Sequence, residues 1–302
     1  MLDVVEDKDI IVVHMTSVNR EVLDHCKNLK VVACLRGGYE NVDVAACTEK
    51  GVKVINAPWR SAFAVADCTV GMMIAENKNI ARAHLAIVQG GWRKKFHNQE
   101  YIRNMRNCTV GVIGFGYIGR QVIQRLKGFD CKIVVHDPFR VGELGRAFKM
   151  NIVAYDPYLP AHVFEEQQAT SMGIDELLKV SDFVTLHIRL SEKTQHYFGA
   201  KEFAQMKPHA YFINSARSGI VDTAALIDAL QNDKIGGAAI DVWDEEPLPV
   251  DSPFRTMDNI TMISHMAGTS CDTMACSVEI GHDDIKLFLE GKPMRNVRNP
   301  QV

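Results

Sequence analysis

Residues 111–119 read Gly-Val-Ile-Gly-Phe-Gly-Tyr-Ile-Gly, and this stretch decides the fold. An apolar run leads into three glycines, Gly114, Gly116 and Gly119, and a segment compatible with a helix follows them. A second apolar run then ends at Asp137, 18 residues beyond the third glycine. Strand, glycine turn, helix, strand and acid in this order are typical of a unit that binds a dinucleotide.

Each glycine of this turn has a separate physical role. Gly114 permits the tight turn, Gly116 lets the backbone approach a pyrophosphate, and Gly119 lets the helix pack closely on the strand. The first turn of the helix presents unpaired N–H groups and a partial positive charge to the phosphates. A glycine turn by chance remains the alternative, but the flanking elements favour nucleotide binding.

Asp137 predicts the choice of cofactor. A carboxylate at the end of the second strand accepts hydrogen bonds from an adenosine ribose and repels the 2′-phosphate of NADP, so NAD is expected. The segment 128–140 is repeated at 147–159, and the repeat places Asp156 at the position of Asp137. Asp137 is favoured because of its distance from Gly119, while Asp156 stays an alternative. The second copy is expected to form either an added strand or an exposed loop.

Composition limits the class of protein. A length of 302 residues suggests about two domains. A hydrophobic content of 47%, a charged content of 24% and a net charge of −3 do not indicate a nucleic-acid or membrane surface. No apolar run reaches the length of about 18 residues that a membrane span needs, and the N-terminus does not read as a signal peptide. The eight cysteines form no CxxC pair, so a cytoplasmic, reduced and metal-free protein is expected.

Short apolar runs alternate with helical patterns along most of the chain, which predicts an α/β fold with a doubly wound parallel sheet. The predicted strands are 10–14, 31–35, 110–113, 133–136, 183–187, 211–214, 238–242 and 260–264. The predicted helices are 20–26, 65–89, 120–127, 175–178, 223–232 and 273–290. Asp222 is the expected N-cap of the helix near Thr223.

Four polar side chains follow candidate strands in the second half of the chain: Arg217, Asp241, Glu246 and His265. Ligands collect at the carboxyl ends of the strands in an open α/β sheet, so these groups are expected to lie near one another. Taken singly, each has an ordinary explanation, such as a surface ion pair, a strand-end cap, a solvated acidic loop or a structural histidine. Their joint position after the glycine turn favours a catalytic role.

Hydride transfer at a hydroxyl-bearing carbon requires this set of groups. His265 suits the proton transfer, because a histidine titrates near neutral pH. A carboxylate such as Glu246 holds the imidazole and stabilises its charged form, although Asp244 and Glu245 are close in sequence. The guanidinium of Arg217 can bind a substrate carboxylate in bidentate fashion and polarise the carbonyl. Asp241 is a candidate for a hydrogen bond to the nicotinamide amide.

The loop Arg36-Gly37-Gly38 follows the strand predicted at 31–35. Its backbone N–H groups could bind a carboxylate, although an ordinary turn explains the two glycines equally well.

In these motifs the chain resembles the D-isomer-specific 2-hydroxyacid dehydrogenases, in particular the branch similar to D-3-phosphoglycerate dehydrogenase. The likeness covers nearly the whole chain. It lies in GVKVINAP (51–58), GFGYIG (114–119), SDFVTLHI (181–188), MKPHAYFINSARSGIVD (206–222), AAIDVWDEEPLP (238–249) and ISHMAGTS (263–270). Several motifs in family order are far more specific than the glycine turn alone.

The resemblance implies a Rossmann-type NAD-binding domain at 59–283. It also implies a second, smaller, flavodoxin-like α/β substrate domain at 1–58 and 284–302, discontinuous and truncated at its N-terminus. It implies NAD as cofactor, a homodimer formed through the NAD-binding domains, and a catalytic set of Arg217, Glu246 and His265. The implied substrate contacts are Arg36, Gly37, Gly38 and Arg217. The implied cofactor contacts are Gly114, Gly116, Tyr117, Ile118, Gly119, Asp137, Asp156, His187, Ala216, Asp241, His265 and Gly268.

The expected function is an NAD-dependent oxidation of a D-2-hydroxy acid at its CH–OH group, or reduction of the matching 2-keto acid. The substrate stays open among a 3-phosphoglycerate-like acid, hydroxypyruvate and glyoxylate; Arg36, Lys53 and Arg60 are the cations available for a phosphate. An NAD(H)-binding regulatory protein, similar to a corepressor and with little turnover, is the alternative. Formate dehydrogenase is disfavoured, since that branch has Gln where Glu246 stands. Trp59 and Arg189 depart from the family pattern.

Overall fold

A computed structural model describes residues 2–137, 153–155 and 173–302 of the chain. The chain divides into two compact units: unit 1 comprises Met1–Ala64 and Thr269–Val302, and unit 2 comprises Val65–Gly268. These boundaries lie at 64/65 and 268/269, where the sequence predicts 58/59 and 283/284, and a helix runs unbroken through the predicted second boundary. Gly281 of this helix packs against Leu35, and Asp284 accepts the backbone N–H of Arg295, so the whole helix belongs to unit 1.

The elements are numbered in chain order within the described residues. The strands are β1 (Ile10–Val13), β2 (Val31–Cys34), β3 (Lys53–Asn56), β4 (Thr109–Ile113), β5 (Lys132–His136), β6 (Val153–Tyr155), β7 (Phe183–Leu186), β8 (Tyr211–Asn214), β9 (Gly237–Ile240) and β10 (Ile260–Met262). The helices are α1 (Leu2–Val5), α2 (Arg20–His25), α3 (Val44–Glu49), α4 (Ala62–Asn77), α5 (Ile80–Val88), α6 (Tyr117–Leu126), α7 (Ile174–Val180), α8 (Ala200–Gln205), α9 (Thr223–Gln231) and α10 (Cys271–Leu289).

Unit 1 contains a parallel sheet in the order β1-β2-β3. Val13, Cys34 and Asn56 lie in register, so the three strands end at the same edge. Alternate residues face opposite sides, as the period of a strand requires. Val32 and Val54 are among the residues packed in the cluster with the short helices, and Ala33 is among those that lie with Ile285 and Phe288 of α10.

Unit 2 contains a parallel sheet in the order β10-β9-β8-β7-β4-β5-β6. The chain order runs outward in both directions from the pair β4 and β7, which is the switch point where a doubly wound sheet binds its ligand. Buried residues of α4 and α6 pack on one face of this sheet, and buried residues of α7, α8 and α9 pack on the other. The predicted α/β fold class, with a Rossmann-type sheet, is confirmed.

The repeated segment contributes a strand. Val153, Ala154 and Tyr155 form β6 and pair in parallel with residues 134–136 of β5, at the edge of the sheet. The two copies of the repeat therefore contribute neighbouring strands, so the alternative of an added strand is confirmed for these three residues.

The long helix predicted over 65–89 is in fact two helices. Asn79 has a φ of 56°, in the left-handed region, and ends the first helix before α5 begins. The buried side chain of Asn79 donates to Asn98 Oδ1 (2.6 Å), and its own Oδ1 accepts from Arg82 Nη1 (3.1 Å). These hydrogen bonds hold the break, which the apolar periodicity on both sides does not reveal.

Candidate active site

The glycine turn connects β4 to α6 and is built as its sequence predicts. Gly114 has a φ of 104°, and a Cβ there would lie 2.6 Å from the backbone carbonyl carbon of His187. A Cβ on Gly119 would clash with the carbonyl oxygen of Gly114, so only glycine allows this helix to pack here. A Cβ on Gly116, by contrast, would meet no atom within 4 Å. The backbone at Gly116 is therefore open to a ligand.

Asp137 lies directly beside this turn, at the end of β5. Its side chain is buried, and Oδ2 accepts a hydrogen bond from the backbone N–H of Phe115 (2.6 Å). The preceding residue joins the same turn, since Gly114 N–H donates to the carbonyl of His136 (2.7 Å). The carboxylate is thus fixed at the point where the sequence predicts the ribose acid. The alternative acid, Asp156, lies outside the described residues.

His187 follows β7, on the other side of the switch point. Its Nε2 lies 3.0 Å from Thr185 Oγ1, and its Nδ1 is buried without a hydrogen-bond partner in the described part of the chain. Burial lowers the pKa of His187 to about 3, so the ring is neutral at physiological pH. A buried, unpaired ring nitrogen in a residue whose backbone lies against Gly114 of the glycine turn suits a site that takes a polar ligand.

Arg217 follows β8 and is exposed. Its loop is held by Asn214, whose Nδ2 donates to the carbonyl of Arg217 (3.0 Å) and whose Oδ1 accepts from Ala216 N–H (3.0 Å). Ser215 in the same loop lies 2.7 Å from Thr69 of α4, oxygen to oxygen. The loop backbone is therefore rigid, while the guanidinium is accessible to a ligand.

The imidazole of His265 and the carboxylate of Glu246 form a hydrogen-bonded pair. Nδ1 of His265 lies 2.8 Å from Oε2 and 3.0 Å from Oε1 of Glu246, and Oε1 also accepts from Trp243 N–H (3.1 Å). Burial raises the pKa of Glu246. The hydrogen bonds from His265 and Trp243 and the charges of His265 and Arg217 outweigh that effect, so the net pKa is lowered. Glu246 is thus the ionised partner of His265. Since the charge of Arg217 also lowers the pKa of Glu246, Arg217 lies within electrostatic range of this carboxylate.

Asp241, after β9, is occupied by the backbone of the His265 loop. Oδ1 accepts from Met266 N–H (2.7 Å) and Oδ2 from Ala267 N–H (3.1 Å), while the carbonyl of Asp241 accepts from His265 N–H (2.8 Å). His265 has a left-handed φ of 56°, and these hydrogen bonds hold it in that conformation. Burial raises the pKa of Asp241, against the opposing effect of the Ala267 and Met266 N–H groups. The strand-end cap anticipated as its alternative role is therefore present.

The structure brings Arg217, Glu246 and His265 to loops that follow the adjacent strands β8, β9 and β10 of one sheet. Ala216 belongs to the Arg217 loop and Gly268 to the turn after His265. Tyr117 is 49% exposed in the first turn of α6, whereas Ile118 is partly buried against the core.

Three residues that hold the site were missed from the sequence: Asn214, Ser215 and Trp243. They act through hydrogen bonds of their side chains or backbone N–H groups that depend on the folded path of the chain, which leave no spacing pattern. The strand-end position of Asn214 in the segment Ile213-Asn-Ser-Ala-Arg217 is the one signal that could have found it.

A family model for the NAD-binding domain of the D-isomer-specific 2-hydroxyacid dehydrogenases matches residues 70–143 and 139–267, which together cover more than half of the chain. The chain belongs to this family. Its NAD-binding domain lies in unit 2, with the glycine turn and the catalytic candidates inside the matched residues. The second match restarts at residue 139, within the first copy of the repeat.

Relatives of this family resemble the chain along its whole length. D-3-phosphoglycerate dehydrogenase of Methanocaldococcus jannaschii is 38% identical over 302 residues, which cover 99% of this chain and 53% of the relative. Glyoxylate reductase of Thermofilum pendens is 31% identical over 301 residues, with 99% and 83% covered. The solved structure of the TT0316 protein from Thermus thermophilus is 28% identical, with a TM-score of 0.80 over 98% of this chain and 88% of that chain.

The chain spans about half the length of the D-3-phosphoglycerate dehydrogenases that it matches. None of the helices in the described ranges is long and apolar enough to cross a membrane. Within the same ranges, no group of three or more His, Cys, Asp or Glu side chains could hold a metal ion.

The predicted substrate loop lies in unit 1, at the carboxyl end of β2. The carbonyl of Arg36 accepts from Ala57 N–H (3.1 Å), and that of Gly37 accepts from Asn56 Nδ2 (2.7 Å). A Cβ on Gly38 would collide with the carboxylate of Glu40. The loop is therefore fixed by β3, whereas the exposed side chain of Glu40 is free to move away from a side chain at position 38.

Proposed function

We propose that this protein is an NAD-dependent oxidoreductase that transfers a hydride between nicotinamide and C2 of a small D-2-hydroxy or 2-keto acid. The hydrogen-bonded pair of His265 and Glu246 carries this proposal. A histidine that is 46% exposed and held at Nδ1 by an ionised carboxylate has the geometry of a general acid and base. No described residue hydrogen-bonds its Nε2, which is left to the substrate.

NAD supplies the hydride acceptor, and NADH the donor, when bound at the glycine turn. In the reductive direction, His265 donates its proton to the carbonyl oxygen of the 2-keto acid as C2 gains the hydride. In oxidation, His265 takes the hydroxyl proton as the hydride leaves. Glu246 stabilises the charged imidazolium and fixes the ring. The guanidinium of Arg217 binds the carboxylate of the acid and polarises the carbonyl.

The nucleotide contacts follow from the fit of the turn. Gly116 offers open backbone to the pyrophosphate, the N-terminus of α6 faces the same point, and the carboxylate of Asp137 accepts from the ribose hydroxyls. Since a 2′-phosphate would meet the charge of Asp137, we expect a strong preference for NADH over NADPH. Equal kinetic efficiency with both would contradict the role of Asp137.

The substrate class is a D-2-hydroxy acid such as 3-phosphoglycerate or the product of hydroxypyruvate or glyoxylate reduction, with Arg36, Gly37 and Gly38 as further contacts. We propose that unit 1 is the substrate domain, that the protein acts in the cytoplasm, and that it is a homodimer. Helix α5 supports the homodimer: none of its residues is buried, and Leu85, Ile87 and Val88 are 53%, 58% and 67% exposed. An apolar helix of this kind fits the interface of two identical chains.

The test is the substitution His265→Ala, assayed by NADH absorbance against glyoxylate, hydroxypyruvate, pyruvate and phosphohydroxypyruvate. We expect kcat/KM for the best acid to fall by at least about 100-fold, because the proton donor is lost. NADH affinity should stay nearly unchanged. Arg217→Ala should show the same fall in kcat/KM and the same retained NADH affinity. Full turnover in either variant would remove that residue from the mechanism. A wild-type protein that binds NADH but reduces none of the acids would support the regulatory alternative.

A further inference from the structure

Three basic side chains converge at the carboxyl edge of the sheet in unit 1. His14 follows the last residue of β1, Arg36 comes two residues after β2, and Arg60 comes four residues after β3. The three strands end in register, so their following residues share one edge. Lys53, another cation of this unit, is the first residue of β3 and lies at the opposite edge.

Arg60 is held in place but incompletely paired. Its Nη1 lies 3.2 Å from Oγ of Ser277, a buried residue of α10 whose own hydroxyl donates to the carbonyl of Thr273 (2.7 Å). The Nε of Arg60 is buried and has no hydrogen-bond partner among the described residues. A half-buried guanidinium with an unused N–H is unusual, because arginine normally satisfies its fork with a carboxylate, a phosphate or water.

Positive charge dominates the electrostatics of this cluster. Burial lowers the pKa of Arg60 and the charge of Arg36 lowers it further, while Cys34 and Cys276 oppose this shift without reversing it. Burial, then Arg60, then Arg36 lower the pKa of His14. Within the described residues neither guanidinium forms an ion pair, and the carboxylate nearest along the loop, Glu40, packs against Gly38 instead. Like charges gathered at one edge without a counter-charge raise the energy of the free protein, which an anionic ligand would relieve.

We propose that Arg60, with Arg36 and His14, forms a site in unit 1 for the phosphate group of a phosphorylated acid. Phosphate fits better than a lone carboxylate, because a dianion matches two guanidiniums and accepts the unused Nε–H in a charge-assisted hydrogen bond. Identification of this acid as the substrate rests on the proposed function. Under it, Arg60 selects a phosphorylated 2-keto acid over glyoxylate and hydroxypyruvate.

Binding can be tested without turnover. Calorimetric titration of the full chain with 3-phosphoglycerate and with D-glycerate compares two acids that differ only by the phosphate. We expect 3-phosphoglycerate to bind the wild type about 10- to 100-fold more tightly, and Arg60→Met to remove most of this difference. Lys53→Met, which removes a cation from the opposite edge, should retain it. Equal affinity for both acids in the wild type, or an unchanged preference in Arg60→Met, would overturn the proposal.

Kinetics then connect the site to the reaction. We expect Arg60→Met to raise KM for phosphohydroxypyruvate about 10- to 100-fold with little change for hydroxypyruvate. Arg60→Lys, which keeps the charge but loses the fork, should fall between the two. If the chain turns over no acid, the proposed function fails, and the titration alone still decides the phosphate site. The melting temperature of ligand-free Arg60→Met should not fall, which separates this role from a structural one.

Discussion

Asp241 shows how a single buried carboxylate can determine the position of a catalytic group. Both of its oxygens accept N–H groups that directly follow His265, and its carbonyl accepts the N–H of His265 itself. The imidazole is therefore positioned by Asp241, which directly follows β9, as well as by Glu246. Asp241 is therefore a positioning residue, and the nicotinamide contact that the sequence suggested for it stays a prediction.

Asp241→Ala should reduce kcat at least about 10-fold while NADH affinity changes little. Two backbone N–H groups would lose their acceptor, at a cost of about 1–3 kcal/mol each, and the left-handed turn at His265 would relax. The measurements are steady-state kinetics, a fluorescence titration with NADH and a melting curve. Asp244→Ala, at an exposed acid of the same loop, is the matched control and should stay near wild type. If Asp241→Ala weakened NADH binding and left kcat intact, its main role would be contact with the cofactor.

The sequence predicted Glu246 and His265 as catalytic residues, although its chemistry alone does not separate Glu246 from the two acids before it. Asp244, Glu245 and Glu246 carry the same charge, and only the folded loop brings the last of them to the imidazole. The roles of Asn214 and Trp243 could not be predicted from the sequence for a different reason. They act through hydrogen bonds to or from the main chain, and such bonds depend on the path of the chain instead of residue spacing.

At the scale of elements, the turn between β4 and α6 contains two glycines with opposite demands. A side chain on Gly119 would collide with the carbonyl of Gly114, whereas a side chain on Gly116 would meet nothing within 4 Å. Gly119 is therefore required for the packing of α6, whereas the backbone of Gly116 is accessible to a ligand.

This difference predicts the outcome of a matched pair of substitutions. Gly119→Ala should lower the melting temperature strongly or prevent folding, because β4 and α6 would have to separate. Gly116→Ala should fold with a melting temperature close to that of the wild type but bind NADH at least about 10-fold more weakly, because its methyl group enters the space of the pyrophosphate. Differential scanning fluorimetry and NADH titration separate the two effects. A Gly116→Ala protein with unchanged NADH affinity would place the phosphates elsewhere.

Elements with a clear pattern of apolar residues were predicted well, and elements that depend on tertiary contacts were not. Strand β8 has the predicted bounds, and the N-cap at Asp222 is confirmed by its hydrogen bond from Ala225 N–H (3.2 Å). Strand β3 was missed, because its four residues begin with Lys53 and end with Asn56. The break at Asn79 depends on its side-chain hydrogen bonds with Asn98 and Arg82, which the apolar periodicity of the predicted helix does not reveal.

At the scale of the whole molecule, the exposed apolar face of α5 predicts the assembly. The double substitution Leu85→Asp and Val88→Asp should convert a dimer into monomers, because it puts charges into an interface that would otherwise exclude water. Light scattering coupled to size-exclusion chromatography measures the mass. Val250→Asp, at another exposed apolar residue (90%), is the control and should remain dimeric. A wild-type protein that elutes as a monomer at micromolar concentration would refute the homodimer.

The division of the chain into units has an evolutionary consequence. The glycine turn and the proposed catalytic residues lie together in the continuous stretch 65–268, while the basic cluster of His14, Arg36 and Arg60 lies in the flanking segment 1–64. Recombination that exchanged only those flanks for the ones of a relative would alter which acid is accepted and leave the redox machinery untouched. A chimaera built on that boundary would inherit its substrate preference from one parent and its coenzyme from the other.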